Sequence, residues 1–377
     1  MSSSNNITSA IDNERSKAAF LFREAIYPEV YIEMELKQIM ASTTSDFQQV
    51  SVIETSFGKT LVTDGKTQSS QVDEHVYHES LVHPSLIRIG LENHGNSYSS
   101  SIQTTETSSK EEEVGPKRVF IGGGGELATA REVLRHKSVK EIVMVDIDEV
   151  VLEVCKKYLP EWGGEGVASN PRLNLIIGDA YQYLLNCQDK FDVIIMDISD
   201  PIEAGPGIML YTKEFYQHTK TLLNDNGVFV TQAGTAEPIN MQNVEPGCDE
   251  DMTCLVPITN TLNEVFDCVL PYSSNIPSFG CDWGFVMAFD SSQAQKHVDE
   301  LVNLNIKTID EAISSRIGRI DGFDSETNDE SVTGGNDILK FYDGESHRRM
   351  FSIPKPLRMK LRMDKRIMTR DNPVFMY

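Results

Sequence analysis

Four acidic residues each stand at the end of a short apolar run. Glu126 closes VFIGGGGE, Asp146 closes EIVMVD, Asp179 follows LNLIIG, and Asp197 closes VIIMD with Asp200 three residues on. Apolar runs of this length read as buried strands, and in an open α/β sheet ligands bind at the carboxyl ends of the strands. The glycines between Ile121 and Glu126 let the backbone turn sharply and approach a ligand, and the helix after them presents unpaired N–H groups. Read as Gly123, Gly125 and Ala128, the turn fits the dinucleotide fingerprint with alanine in third place. Asp146 lies twenty residues beyond Glu126, the spacing at which an acid accepts hydrogen bonds from ribose hydroxyls. A carboxylate at Glu126 would repel a pyrophosphate and attract a ligand that carries positive charge and no phosphate. This chemistry points to S-adenosylmethionine and its relatives, with NAD as the alternative.

Some of these acids also admit plainer readings. Asp148 and Asp179 immediately precede helical patterns and could cap them, and Asp200 before Pro201 could be turn chemistry. His83-Pro84 reads as helix termination.

Positioning these acids requires a sheet, and the chain supplies the rhythm of one. Strands at 119–121, 141–146, 173–177, 191–196 and 227–232 alternate with helices at 127–136, 148–158, 179–186 and 212–223. A helix at 253–265 and apolar stretches at 266–271 and 282–289 follow, then a helix near 337–349 and a basic tail. Upstream, Val30 to Ile39 alternates as a half-buried strand, residues 48–55 and 60–63 read as further strands, and Asp64-Gly65 is a hairpin signal. A helix from about Asp73 to Leu81 halts before Pro84. The expected fold is α/β, a doubly wound, Rossmann-like sheet of the methyltransferase type with a small N-terminal antiparallel β domain. The expected organisation is a disordered tail over 1–17, the β domain over 18–84, a flexible Ser/Thr/Glu-rich insert over 85–117 and the catalytic domain over 118–377.

Composition narrows the function classes. The 377 residues carry 34 basic and 57 acidic side chains, a net charge of −23, which argues against nucleic acid as a partner and suits a cationic substrate. The six cysteines lie apart with no CxxC, which argues against structural zinc and a secreted disulfide scaffold, and no metal site is expected. No stretch approaches a membrane span and the N-terminus lacks a signal-peptide core, so a cytoplasmic protein with no membrane partner is the expectation.

The stretch GGGELATAREVLRHKSVKEIVMVDIDEVV, then GDA, DISDP and LYTKEFY, resembles the aminopropyltransferases of the spermidine synthase family, and within it the thermospermine-forming members. DGKTQSSQVDEHVYHESLVHP at 64–84, NIPSFGCDWGFVMA at 275–288 and KFYDGESHRRMF at 340–351 extend the resemblance over nearly the whole chain. It implies transfer of the aminopropyl group of decarboxylated S-adenosylmethionine, a co-substrate, to spermidine, giving thermospermine and methylthioadenosine with no prosthetic group. By the same resemblance Gln48, Gly123, Gly125, Glu126, Asp146, Asp179, Ala180 and Asp197 would bind the donor. Asp197 would be the base, assisted by Tyr77, and Tyr77, His78, Ser199, Asp200, Phe279 and Trp283 would hold the acceptor. The family also implies a homodimer or homotetramer. Spermidine or spermine synthesis, a small-molecule methyltransferase and an NAD-dependent oxidoreductase are the competing readings. Leu127 stands where the family usually has glycine, which implies either an altered turn or a side chain directed into the core.

Overall fold

The computed structural model describes residues 20–27, 29–91, 113–201, 207–236, 253–291, 302, 305–324 and 335–376. The expected tail at 1–17 lies outside the described residues, as do residues 92–112 of the expected insert and residues 237–252.

Strands β1 (Leu21–Tyr27) and β2 (Val30–Glu35) pair antiparallel. Strands β3 (Gln38–Thr44), β4 (Gln49–Thr55), β5 (Gly58–Thr63) and β6 (Lys66–Ser70) form a second antiparallel sheet in chain order. The single strand expected over Val30–Ile39 is therefore two strands in two sheets. Consecutive amides divide it: Leu36 N–H donates to the carbonyl of Phe20 beside β1, and Lys37 N–H donates to Glu54 in β4. Alternation of side chains survives such a transfer, so the pattern alone hides it.

Helix α1 (Glu74–Arg88) runs straight through Pro84, correcting the expected stop before that residue. Proline at this point frees the carbonyl four residues back, that of Ser80. Tyr272 Oη donates to that carbonyl at 3.1 Å, so the lost helical bond is replaced by a tertiary one. Leu81, Val82, Leu86 and Ile87 are essentially fully buried. Each such burial is worth about 1.5–3 kcal/mol, which together outweighs the roughly 3 kcal/mol cost of an interior proline.

The central sheet contains β7 (Arg118–Gly123), β8 (Glu141–Asp146), β9 (Leu173–Ile177), β10 (Phe191–Asp197), β11 (Leu223–Thr235), β12 (Cys268–Ile276) and β13 (Cys281–Phe289). Their order is β12-β13-β11-β10-β7-β8-β9, with β9 to β11 parallel and β13 antiparallel to both neighbours. Val119, Ile121, Val193 and Ile195 enter one core layer, whereas Phe120, Ile194 and Met196 enter the other. With both faces covered, the strands read as continuous apolar runs. The chain steps outward from β7 to β9 and then returns to the opposite side of β7 as β10. That reversal makes the β7–β10 boundary the topological switch point, where ligands bind.

Helices α2 (Ala128–Leu134), α3 (Glu149–Tyr158), α4 (Ala180–Asn186), α5 (Lys213–Thr221) and α6 (Leu255–Asn263) flank this sheet. Beyond it lie α7 (Ile306–Arg316), α8 (Gly335–Ile338), α9 (Gly344–Met350) and α10 (Lys355–Met363). The helix expected near 337–349 is broken into α8 and α9. Between them the amides of Lys340, Phe341 and Tyr342 donate to the buried Glu79 carboxylate, and Asp343 then caps α9.

Candidate active site

Register builds the site. Met196 pairs with Gly122 and Asp197 with Gly123, so the acid closing β10 sits directly against the glycine turn closing β7. Gly123 has φ +82°, and a Cβ there would lie 2.0 Å from the Asp197 carbonyl oxygen, so no other residue fits. A Cβ on Gly125 would come within 3.0 Å of Asp146 Oδ2. Gly124 N–H donates to the Asp197 carbonyl at 3.1 Å, locking turn and strand end together.

Leu127 is both of the things its position implied. Its φ of +72° is left-handed, at the helix entry where glycine would be unstrained, and its side chain is fully buried in the core. The neighbouring Gly163 makes room for it: a Cβ at Gly163 would lie 2.5 Å from Leu127 Cβ. Core burial worth about 1.5–3 kcal/mol offsets the roughly 1–2 kcal/mol of a left-handed leucine.

Asp197 accepts from Tyr77 Oη at 2.7 Å and from Thr129 Oγ1 at 2.5 Å. Both carboxylate oxygens are thus held by hydroxyls from two different helices. Burial, followed by the Asp197 charge and hydrogen bond, keeps the Tyr77 phenol well above its ordinary pKa. Asp146 accepts from the Asp148 amide at 2.8 Å, and burial raises its pKa to about 6 despite that bond. Asp148 and Asp179 both cap helices, accepting from Val150 and Val151 and from Tyr181 and Gln182 respectively. Gln48 and Ser45 both donate to Asp148 Oδ2, tying the N-terminal sheet to this edge.

Two cavities meet here. One, of about 160 Å³, is lined by Gly123, Gly125, Glu126, Asp146, Asp179 and Ala180 among others. The other, of about 210 Å³, is lined by Glu24, Asp200, Phe279, Trp283 and Met376 among others. Gln48, Tyr77 and Ser199 belong to both walls, and Asp197 lines the first beside that junction. In the second cavity Gln232 Nε2 donates to Asp200 Oδ1 at 3.0 Å, and burial raises the Asp200 pKa to about 6. Phe279 and Trp283 meet edge to face at 4.9 Å between ring centroids, giving the cavity an aromatic wall.

His78 departs from its expected place on the acceptor wall. It lines neither cavity and is completely buried behind Glu126, with Nε2 2.6 Å from Glu126 Oε1 and Nδ1 2.9 Å from Glu74 Oε2. Nδ1 also lies 2.6 Å from the Glu74 carbonyl, so both ring nitrogens meet only acceptors. With both carboxylates ionised, only the imidazolium satisfies both. Burial alone would lower its pKa, but the hydrogen bonds to Glu126 and Glu74 raise it to about 10. Burial pushes Glu126 up, and His78 counters that push. Glu74 is drawn down to about 2, against its burial, chiefly by the Arg131 guanidinium, which donates to it at 2.8 Å. The resemblance placed His78 on the acceptor side; the buried charges of Glu74, Arg131 and Glu126 turn it the other way.

Glu24, Thr129 and Gln232 are among the site-lining or site-supporting residues that were not anticipated. Glu24 is buried on the second cavity, accepts from the Thr67 amide, and has its pKa raised by burial. Its signal was the Phe22, Glu24, Ile26 alternation of the unrecognised β1. Thr129 and Gln232 had no local signal, because each acts through a strand end distant in sequence. Among the described residues no group of three or more His, Cys, Asp or Glu is placed to hold a metal ion, and no helix is long and apolar enough to cross a membrane.

The spermine/spermidine synthase domain matches residues 74–299. A polyamine aminopropyltransferase from Hyperthermus butylicus is 38% identical over 342 residues, covering 90% of this chain and 92% of that protein. One from Sulfolobus acidocaldarius is 38% identical over 348 residues, covering 92% and 95%. Among solved structures, spermidine synthase in complex with the transition-state analogue AdoDATO superposes with a TM-score of 0.68 at 24% identity, and the enzyme from Thermotoga maritima with 0.67 at 23%. Each structure covers 92% of this chain and is itself covered over 96%, which establishes the shared fold. Sequence similarity over most of its length establishes more: the chain belongs to the spermine/spermidine synthase family, whose members are aminopropyltransferases.

Proposed function

We propose that this protein transfers the aminopropyl group of decarboxylated S-adenosylmethionine to spermidine, forming thermospermine and methylthioadenosine. The observation that carries the reading is the junction of two acid-lined cavities at Tyr77 and Asp197. One cavity suits a cationic nucleoside and the other a polycation with apolar methylenes. On this reading Asp146 takes the ribose hydroxyls, Asp179 and Ala180 border the adenine, and Gln48 closes the nucleoside from the N-terminal sheet. Glu126 faces the donor's ammonium, which is left uncompensated once the donor has lost its carboxylate.

The acceptor amine is protonated at neutral pH and attacks only as the free base. Asp197 takes that proton. The nitrogen lone pair then displaces sulfur at the propyl carbon in line, the C–S electrons discharge the sulfonium, and neutral methylthioadenosine leaves. Tyr77 and Thr129 hold the base in place, so positioning and charge supply the catalysis. Ser199 and Asp200 receive the amines of the acceptor, while Phe279 and Trp283 cover its methylenes. His78 acts one layer behind, on Glu126.

The test is product analysis with decarboxylated S-adenosylmethionine and putrescine, spermidine or spermine in turn. The expected result is methylthioadenosine together with a tetraamine separable from spermine, formed from spermidine. S-adenosylhomocysteine formed from S-adenosylmethionine would refute the aminopropyl reading. Spermidine from putrescine as the main product would refute the acceptor assignment alone.

A further inference from the structure

The family model's match runs to residue 299, and the second cavity has a further wall from the far C-terminal segment. Met376 lines that cavity, and its amide donates to the Pro201 carbonyl at 2.7 Å. This bond fixes the segment beside Asp200-Pro201. The thioether reaches inward: a Cβ built on Gly234 would lie 2.8 Å from Met376 Sδ and 3.4 Å from Asp200 Oδ1. Met376 sulfur and the Asp200 carboxylate therefore border the same small volume, with Gly234, at φ +70°, leaving space between them.

The approach to this point is anchored. Met368 is fully buried, its amide donates to Thr261 Oγ1, and its carbonyl accepts from Lys213 N–H. Thr369 and Asn372 close a turn on one another, and Arg370 donates to Tyr181 Oη, next to Ala180 of the first cavity. Val374 is buried. A segment held at so many points delivers Met376 with a defined reach.

We propose that this C-terminal segment is a built part of the acceptor site and that Met376 determines which polyamine fits. The inference rests on the reading of the second cavity as the acceptor's. A protonated amine held at Asp200 has methylenes next to it, and an unbranched thioether is a polarizable, adaptable surface for them. The length of chain that fits between Asp197 and this wall then sets the preferred acceptor, by contact with methylenes rather than by a further charge.

The experiment compares wild type, Met376→Leu and Met376→Ala in kcat/KM for putrescine, spermidine and spermine, with donor KM measured in parallel. Met376→Ala is expected to raise the KM of the preferred acceptor about tenfold, in the range a lost apolar contact of this size supports. It should also change the ratio among the three acceptors and leave donor KM within twofold. Met376→Leu, which keeps the volume, should retain most of the preference. Equal loss on all three acceptors, an unchanged profile, or a matching rise in donor KM would overturn the proposal. Wild-type protein inactive on every polyamine would instead refute the aminopropyl reading on which it rests.

Discussion

Replacing His78 by glutamine tests the buried charge row Arg131–Glu74–His78–Glu126 most directly. Glutamine can keep a hydrogen bond to one carboxylate, but it cannot supply the proton and charge that satisfy both. A rise in the His78 pKa from 6.5 to about 10 corresponds to a folded-state preference for the imidazolium on the order of 5 kcal/mol. Because the folded value is raised, the stabilisation is complete below the unfolded pKa near 6.5 and is lost as pH climbs through about 10. Arg131 still neutralises Glu74 in the variant, and Glu126, whose side chain is 12% exposed, reaches the cavity. Some of the loss is thereby relieved, and the expected deficit at pH 7 is about 2–4 kcal/mol. Urea unfolding at steps from pH 6.5 to 10 should show this gap between wild type and His78→Gln narrowing steadily with pH. Donor KM should rise several-fold while acceptor KM stays put, since Glu126 loses the group that orients it. A gap that does not change with pH would refute the imidazolium, and a rise in acceptor KM alone would return His78 to the acceptor wall.

Two further outcomes follow from the same geometry. Asp197→Asn should reduce kcat at least a hundredfold, the usual scale for a lost general base, while methylthioadenosine binding measured by calorimetry stays within a few-fold; equal loss of binding would make Asp197 structural. With donor saturating, so that Asp146 is already engaged, acceptor kcat/KM should fall several-fold between pH 7 and 5. Burial raises Asp200 to about 6, so it is ionised above that pH and neutral below it; Asp200→Asn should flatten this acid limb, and an unchanged limb would assign it to another group.

The strand ends were legible because the signal is local: an apolar run fixes the strand, and the next polar residue marks where it stops. Gly123 and Asp197 needed no long-range information to be singled out, although their pairing across β7 and β10 did. Elsewhere the deciding partner lay far away in sequence. Pro84 signals a helix end unless something meets the Ser80 carbonyl, and Tyr272, 192 residues on, does so. Leu127 is a misplaced side chain at a glycine position until Gly163 supplies its space. Leu36 and Lys37 keep perfect alternation while changing sheets, since periodicity records which face is buried and not which strand is the neighbour. His78 shows the limit most clearly. The family resemblance placed it among the acceptor residues, but its direction is set by Glu74, Arg131 and Glu126, and electrostatics across three elements leaves no periodic trace.

The acids of this region are held in two distinct ways, and the difference bears on what each can do. Glu74 has a protein cation against it and lies far below the ordinary carboxylate range, so it is spent on structure. Asp146 accepts from backbone amides and Asp200 from Gln232, and burial leaves both near 6 even though Lys66 draws Asp200 down. A carboxylate whose pKa stays raised by burial is stabilised by whatever ligand brings further hydrogen-bond donors or positive charge to it. Glu126 is intermediate: His78 holds one oxygen, and the other remains for a second cation. The order of the perturbations thus separates acids that hold the scaffold from acids that can receive a ligand.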